Sequence, residues 1–144
     1  MTRTQRLHPV VQHTDKKERR ALQEVAQSQG VLDIEQNKLV QLKQYKLEYL
    51  NKRQEDIGIY SAIELQEFNR FLQQLEETIS RQKEVIDLRQ RELEQKRQAW
   101  NTTRIDSRVM HKVVDKLQKQ ESVQQERKEQ KALDDFTQRK NSLR

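Results

Sequence analysis

Cysteine is absent from this chain, proline occurs once and glycine twice, and each scarcity removes a class of architecture. Without thiols there is no disulfide framework and no thiolate metal centre, which suits a reducing cytoplasm. With so few glycines, the loop around Gly58 cannot form the glycine run that cradles phosphates. Hydrophobic residues make up 32% of 144 positions and aromatics 5%, too little for a thick globular core. No apolar run exceeds three residues, so neither a membrane-spanning segment nor the core of a secretory signal is expected. Histidine is limited to His8, His13 and His111, without HExxH spacing or a nearby carboxylate cluster, so neither a metal site nor catalysis is expected.

What the chain does have is charge, at 36% of residues, and good helix formers in ordered spacing. Stepping by three and four from Leu65 to Leu117 visits sixteen positions. Leu65, Phe68, Leu72, Leu75, Ile79, Ile86, Leu93, Trp100, Met110, Val114 and Leu117 make eleven of them apolar. A period of 3.5 sustained over about 50 residues is a coiled-coil seam and leaves no concave pocket for an enzyme. A second stripe runs through Ala21, Val25, Ser28, Leu32, Glu35, Leu39, Leu42, Lys46 and Tyr49. Gly30, inside that stretch, costs about 1 kcal/mol relative to Ala.

The first helix is expected to start between Pro9, tolerated in a first turn, and Thr14 or Asp15, either of which offers an N-cap. It should fade near residues 54–56, with the turn at 57–61. Ser61 and Glu64 form a Ser-x-x-Glu capping box, with Tyr60 and Leu65 placed as its hydrophobic staple. The second helix then runs to about residue 137, a rod of roughly 110 Å at 1.5 Å per residue. The expected fold is therefore all-α, one long two-helix antiparallel coiled-coil hairpin domain over residues 1–144, with the second helix the longer and the termini frayed.

A short turn makes residues whose numbers sum to about 118 face each other. Leu42 then meets Leu75, Leu39 meets Ile79, Leu32 meets Ile86 and Val25 meets Leu93, while Glu35 meets Gln82 and Ser28 meets Arg89. The polar column Gln82, Arg89, Lys96 and Thr103 should be the loosest part of the seam, and it sets the register. Past Leu117 some 25 residues have no partner in their own chain. A lone polar helix is marginal in water, which points to a partner protein.

Charge is unevenly placed. Residues 1–20 hold six Lys or Arg against two acids, residues 21–117 sixteen against sixteen, and residues 118–144 seven against five. A hairpin brings both termini to one end, giving a neutral shaft and a basic tip able to enter an acidic opening. Nucleic-acid binding is not expected, since the shaft is neutral and several aromatics are spent in the seam.

The stretch Leu39-Val-Gln-Leu42-Lys-Gln-Tyr45-Lys-Leu-Glu48-Tyr49, the Gly58 turn, Phe68-Asn-Arg-Phe71-Leu-Gln-Gln-Leu75-Glu and Leu133-Asp-Asp-Phe136-Thr-Gln-Arg139 together resemble the FliJ family of flagellar type III export proteins. The resemblance covers nearly the whole chain and is most specific in L-x-x-Y-x-x-x-Y before the turn and F-x-x-x-L after it. It implies a non-catalytic stalk, similar to the central stalk of rotary ATPases, needing no cofactor. Such a stalk sits in the pore of the hexameric flagellar export ATPase and promotes its assembly and activity. It also touches the cytoplasmic part of the export gate and works with export chaperones. The location implied is cytoplasmic, peripheral at the inner membrane of the flagellar base.

Carried onto this sequence, the gate-binding positions are Leu42, Tyr45, Tyr49, Phe71 and Leu75. Leu42, Tyr49 and Leu75 also fall on the seam, which leaves Tyr45 and Phe71 as the pair exposed together. Lys38, Thr78 and Gln82 depart from the family pattern beside this patch. The ATPase-facing surface is expected to comprise Arg3, Arg6, Lys16, Lys17, Arg19 and Arg20 on the first helix with Arg127, Lys131, Phe136 and Arg139 on the second. An injectisome stalk of the same architecture and a self-associating coiled-coil scaffold are the alternatives.

Overall fold

The computed structural model describes residues 2–56, 58 and 60–143. The chain is all-α, with helix α1 spanning Arg3–Glu55 and the longer helix α2 spanning Ala62–Ser142; among the described residues there is no strand. The two helices pair antiparallel as a coiled-coil hairpin. By internal packing the chain divides into two compact units, one of residues 21–100 and one of residues 1–20 with 101–144.

In the unit of residues 21–100, the heptad spacing becomes a thin buried seam. Leu32, Ile86 and Leu93 form a buried cluster with Val25 and Leu39 packed against it, while Leu75 and Ile79 are buried nearer the turn. These are the positions that a facing sum near 118 brings together. The polar pair Glu35 and Gln82 also meets, the Gln82 amide donating to the Glu35 backbone carbonyl at 2.9 Å and to its Oε2 at 2.6 Å. A carboxylate and an amide matched across a seam this thin favour one register, because a heptad slip would set one of the two against a leucine, Gln82 on Leu42 in one direction or Glu35 on Leu75 in the other. Beside Arg89 and Lys96 the seam opens into a hollow lined also by Glu24, Gln27, Ser28 and Val31, although the buried cluster lies close by.

The turn follows from local chemistry. Lys52 and Arg53 in the last turn of α1 complement its negative end, and the Asp56 amide is shared between the Lys52 and Arg53 carbonyls. Gly58 has φ 97°, a conformation that L side chains rarely adopt. The Ser61 hydroxyl then accepts from the Glu64 amide at 3.2 Å, so the expected cap forms. Ile57 and Ile59, which the sequence assigns to the turn, lie outside the described residues.

Both helices are longer than the sequence suggested. Helix α1 begins at Arg3 rather than between Pro9 and Asp15, because Thr2 and Gln5 make a reciprocal capping box. The Thr2 hydroxyl accepts from the Gln5 amide and the Gln5 side chain accepts from the Thr2 amide, each at 3.2 Å. Pro9 is therefore interior and removes one helical hydrogen bond without ending the helix. Thr14 and Asp15 are not caps: the Thr14 hydroxyl donates back to the Val11 carbonyl, and Asp15 faces α2. Helix α2 continues past 137 to Ser142.

The earlier start lengthens the pairing in the unit of residues 1–20 and 101–144. Val11 and Ser107 are buried, and the Thr4 hydroxyl donates to Glu121 at 2.9 Å. Residues just beyond Leu117 thus do have a partner, and the stretch in which every described residue is exposed runs from 122 to 143.

The two glycines give opposite expectations. Gly30 lies in mid-helix with nothing within 4 Å of an added Cβ, so Gly30→Ala should stabilise by up to about 1 kcal/mol. Gly58→Ala should destabilise by about 1 kcal/mol through its positive φ. Urea titrations followed by helical ellipticity check both; equal and same-sign shifts would contradict the turn geometry.

Candidate functional site

Each unit carries one candidate surface. In the unit of residues 21–100, α1 presents Tyr45, Tyr49 and Arg53 and α2 presents Phe68 and Phe71, spaced so that the rings interleave across the seam. Tyr45 meets Phe71 edge to face at 6.2 Å between centroids, and Tyr49 stacks on Phe68 at 4.4 Å with planes 5° apart. Tyr49 also touches Phe71 at 4.7 Å, and the Arg53 guanidinium lies 4.5 Å from the centre of the Phe68 ring. Contacts of this kind contribute about 0.5–1.5 kcal/mol each beyond burial, so the ladder is a fixed feature of the surface.

Of the five expected gate residues, Leu75 is buried and Leu42 and Tyr49 are half-buried, which makes them parts of the packing. Burial pushes the Tyr49 phenol above its usual range, with Tyr45 adding to the effect. Tyr45 and Phe71 are 50% and 36% exposed and in contact, as a pair flanking the seam should be. The sequence reading missed Phe68 and Arg53, whose rows in the two stripes carry the signal. Tyr45, Tyr49, Lys52, Arg53, Tyr60, Phe68 and Phe71 line a shallow groove together with Glu64 and Glu67. At its end the Tyr60 hydroxyl donates to Asp56 at 3.0 Å, and this bond raises its pKa.

The other surface belongs to the unit of residues 1–20 and 101–144, which holds seventeen Lys and Arg against nine Asp and Glu. The unit of residues 21–100 holds twelve against fourteen, so the whole positive balance of the chain lies in the first. Arg3, Arg6, Lys16, Lys17, Arg19, Arg20, Arg127, Lys131, Phe136 and Arg139 all lie in this unit and are all exposed. None of these cations forms an ion pair among the described residues. Phe136 is 66% exposed, an aromatic side chain left in water.

In the same unit Asp15 ties the helices together. It accepts from the Ser107 hydroxyl at 2.7 Å and lies 3.0 Å from His111 Nε2. The Ser107 bond first, then the His111 bond, hold its carboxyl below the ordinary value. Serine, histidine and aspartate meet here, but the carboxylate sits between the other two, so the histidine does not activate the serine. The trio works as a clasp.

Among the described residues no group of three or more His, Cys, Asp or Glu is placed to hold a metal, and no helix is long and apolar enough to cross a membrane. What the geometry offers is an aromatic ladder in one unit and unpaired positive charge in the other.

Residues 3–144 match the family model of the flagellar FliJ protein. The chain belongs to the FliJ family. A FliJ-family chain is a component of flagellar type III protein export. No curated protein and no solved structure gives a significant match to it.

The clasp makes the pairing pH dependent. A carboxylate whose folded pKa lies below its unfolded value contributes stability above the ordinary range, and that contribution is lost as pH falls through the folded value. Asp15 and Glu35 are both held low, Glu35 chiefly by the Gln82 amide. The unfolding midpoint should therefore drop between about pH 5 and pH 3. In Asp15→Asn the drop should be smaller and the midpoint at neutral pH lower; an unchanged pH profile would remove Asp15 from the pairing.

Proposed function

We propose that this FliJ-family chain is the stalk of the flagellar export ATPase. Its basic unit enters the pore of the hexameric ring and promotes ring assembly and ATP hydrolysis, while its aromatic ladder contacts the cytoplasmic part of the export gate. Export chaperones are further partners, and the site of action is the cytoplasmic face of the inner membrane at the flagellar base. The observation that carries this reading is the concentration of Lys and Arg in the unit that holds both chain ends, next to an α2 segment, 122–143, that its own chain leaves exposed. A basic helical pair with an extra length of helix is shaped to fill an acidic channel and to be gripped there.

The neutral balance and stacked rings of the other unit suit a different kind of contact. An exposed Tyr45–Phe71 pair on a rigid helical pair offers preorganised aromatic area, the composition typical of binding hot spots. The chemistry of hydrolysis belongs to the ring in this scheme, and the stalk acts by where its ends are held. The match to a flagellar family favours this reading over an injectisome stalk or a self-associating scaffold.

ATP hydrolysis by the purified export ATPase of the same organism, titrated with this protein, tests the proposal. Stimulation should saturate near one stalk per six ATPase chains. Reversing Arg19 and Arg20 to Glu should raise the half-stimulating concentration on the order of tenfold without changing helical content. Unaltered stimulation by that variant would remove the basic unit from the ring.

Tyr45→Ala with Phe71→Ala should weaken binding to the cytoplasmic domain of the gate by at least about tenfold, at roughly 1 kcal/mol of stability. Intact binding by titration calorimetry would mean that the ladder only braces the seam.

A further inference from the structure

Helix α2 carries a second ordered column, on the side away from its seam. In the unit of residues 1–20 and 101–144 the α2 seam passes through Thr103, Ser107, Met110, Val114, Leu117 and Glu121, all buried or half-buried. Midway between these positions, again at steps of three and four, lie Thr102, Ile105, Val109, Lys112, Lys116, Lys119 and Val123, and every one is exposed. No acid lies in this column until Glu126; Arg108 and Asp115 border it on one side, Asp106 and Val113 on the other. Ile105, Val109, Val113 and Val123 are 49%, 53%, 41% and 45% exposed. Arg108, Lys112, Lys116 and Lys119 form no ion pair among the described residues. The result is a straight basic and apolar strip about 30 Å long that pairing with α1 does not use.

We propose that this strip adsorbs to an anionic lipid bilayer, with Arg108, Lys112, Lys116 and Lys119 at the headgroups and the four aliphatic side chains seated between them. Charge complementarity selects the occupant. Four to eight Lys or Arg on an amphipathic helix are the recognised composition for acidic lipid, and here they sit in a unit whose balance is already strongly positive. The apolar members are short and β-branched, without the Trp, Tyr or Leu that anchor deep insertion, so binding is shallow and reversible. The same lack of aromatics argues against a protein groove as the occupant, because protein hot spots draw on Trp, Tyr and Arg. It argues equally against single-stranded nucleic acid, which needs stacking platforms. Lysine, a flexible point charge, suits a fluid array of headgroups better than a fixed carboxylate partner.

This inference stands apart from the stalk reading, since none of its lysines is among the cations assigned to the ring. Flotation of the purified full chain with phosphatidylcholine vesicles, with and without phosphatidylglycerol, tests it with no ATPase present. Binding is expected only with phosphatidylglycerol and should fade as salt is raised. Lys112→Gln, Lys116→Gln and Lys119→Gln together should lower partitioning about a hundredfold, roughly fivefold per charge. Val109→Asn with Val113→Asn should lower it at high salt more than at low salt, with helical content unchanged. Binding by the triple variant equal to that of the original chain, or no binding to phosphatidylglycerol at low salt, would overturn the proposal. So would equal, lysine-dependent binding to polyglutamate or to DNA, which would make the strip a general polyanion site.

Discussion

A seam one residue wide has to hold this structure, because the chain has too few apolar residues for anything thicker. Leu32, Ile86 and Leu93 are the only cluster of buried apolar residues among those described, and none of the three is sealed from solvent completely. Each buried aliphatic side chain contributes about 1.5–3 kcal/mol, so a seam of this width stabilises only if it is long and in one register. Length comes from the near absence of helix breakers. Register comes from polar residues that would be out of place in a globular core: Gln82 on Glu35, and Ser107 and His111 on Asp15. A slip of one heptad would preserve most apolar contacts and break all of these, which is why the polar positions specify what the apolar ones stabilise.

The surface is left free by the same economy. Because the seam uses two positions in seven, the rest of each helix answers to solubility and to partners. The two units have spent that freedom differently. One is electrically balanced and concentrates its rings near the turn; the other gathers the positive charge. Pairing every Lys with a Glu at i+4 would have added only a few tenths of a kcal/mol per pair and would have erased the field. Unpaired charge in a chain that also contains 23 acids is a use of the surface that stability does not explain.

Much of this was legible in the sequence, and the misses share a cause. Of the sixteen α2 seam positions, only Lys96 is exposed, since a period of 3.5 is a property of the sequence itself. The Ser61 cap and the exposed Tyr45–Phe71 pair were readable for the same reason, local spacing. The start of α1 was misplaced because Pro9 was taken as a boundary, although Thr2-x-x-Gln5 is a capping box of the kind recognised at Ser61. Asp15 was read as a cap because its partners lie 92 and 96 residues away. No local rule distinguishes an acid that caps its own helix from one that clasps another. Phe68 was seen as a seam residue, but its stacking on Tyr49 and its Arg53 contact needed the two helices side by side.

A two-helix device can transmit something between partners only if a load on one surface is felt elsewhere, and that sets conditions on where its weak points lie. The exposed 122–143 segment is supported only by local bonds such as Gln125 to Glu129 and Gln130 to Asp134, and a helix so supported is marginal alone. The clasp at Asp15 is different. It fixes the N-terminal stretch of α1 against α2 through one shared carboxylate, so the Lys and Arg of residues 1–20 are held on a defined surface. A ligand that engages both the cations of α1 and the α2 segment would be binding a surface already half assembled, and would pay ordering entropy only for the remainder.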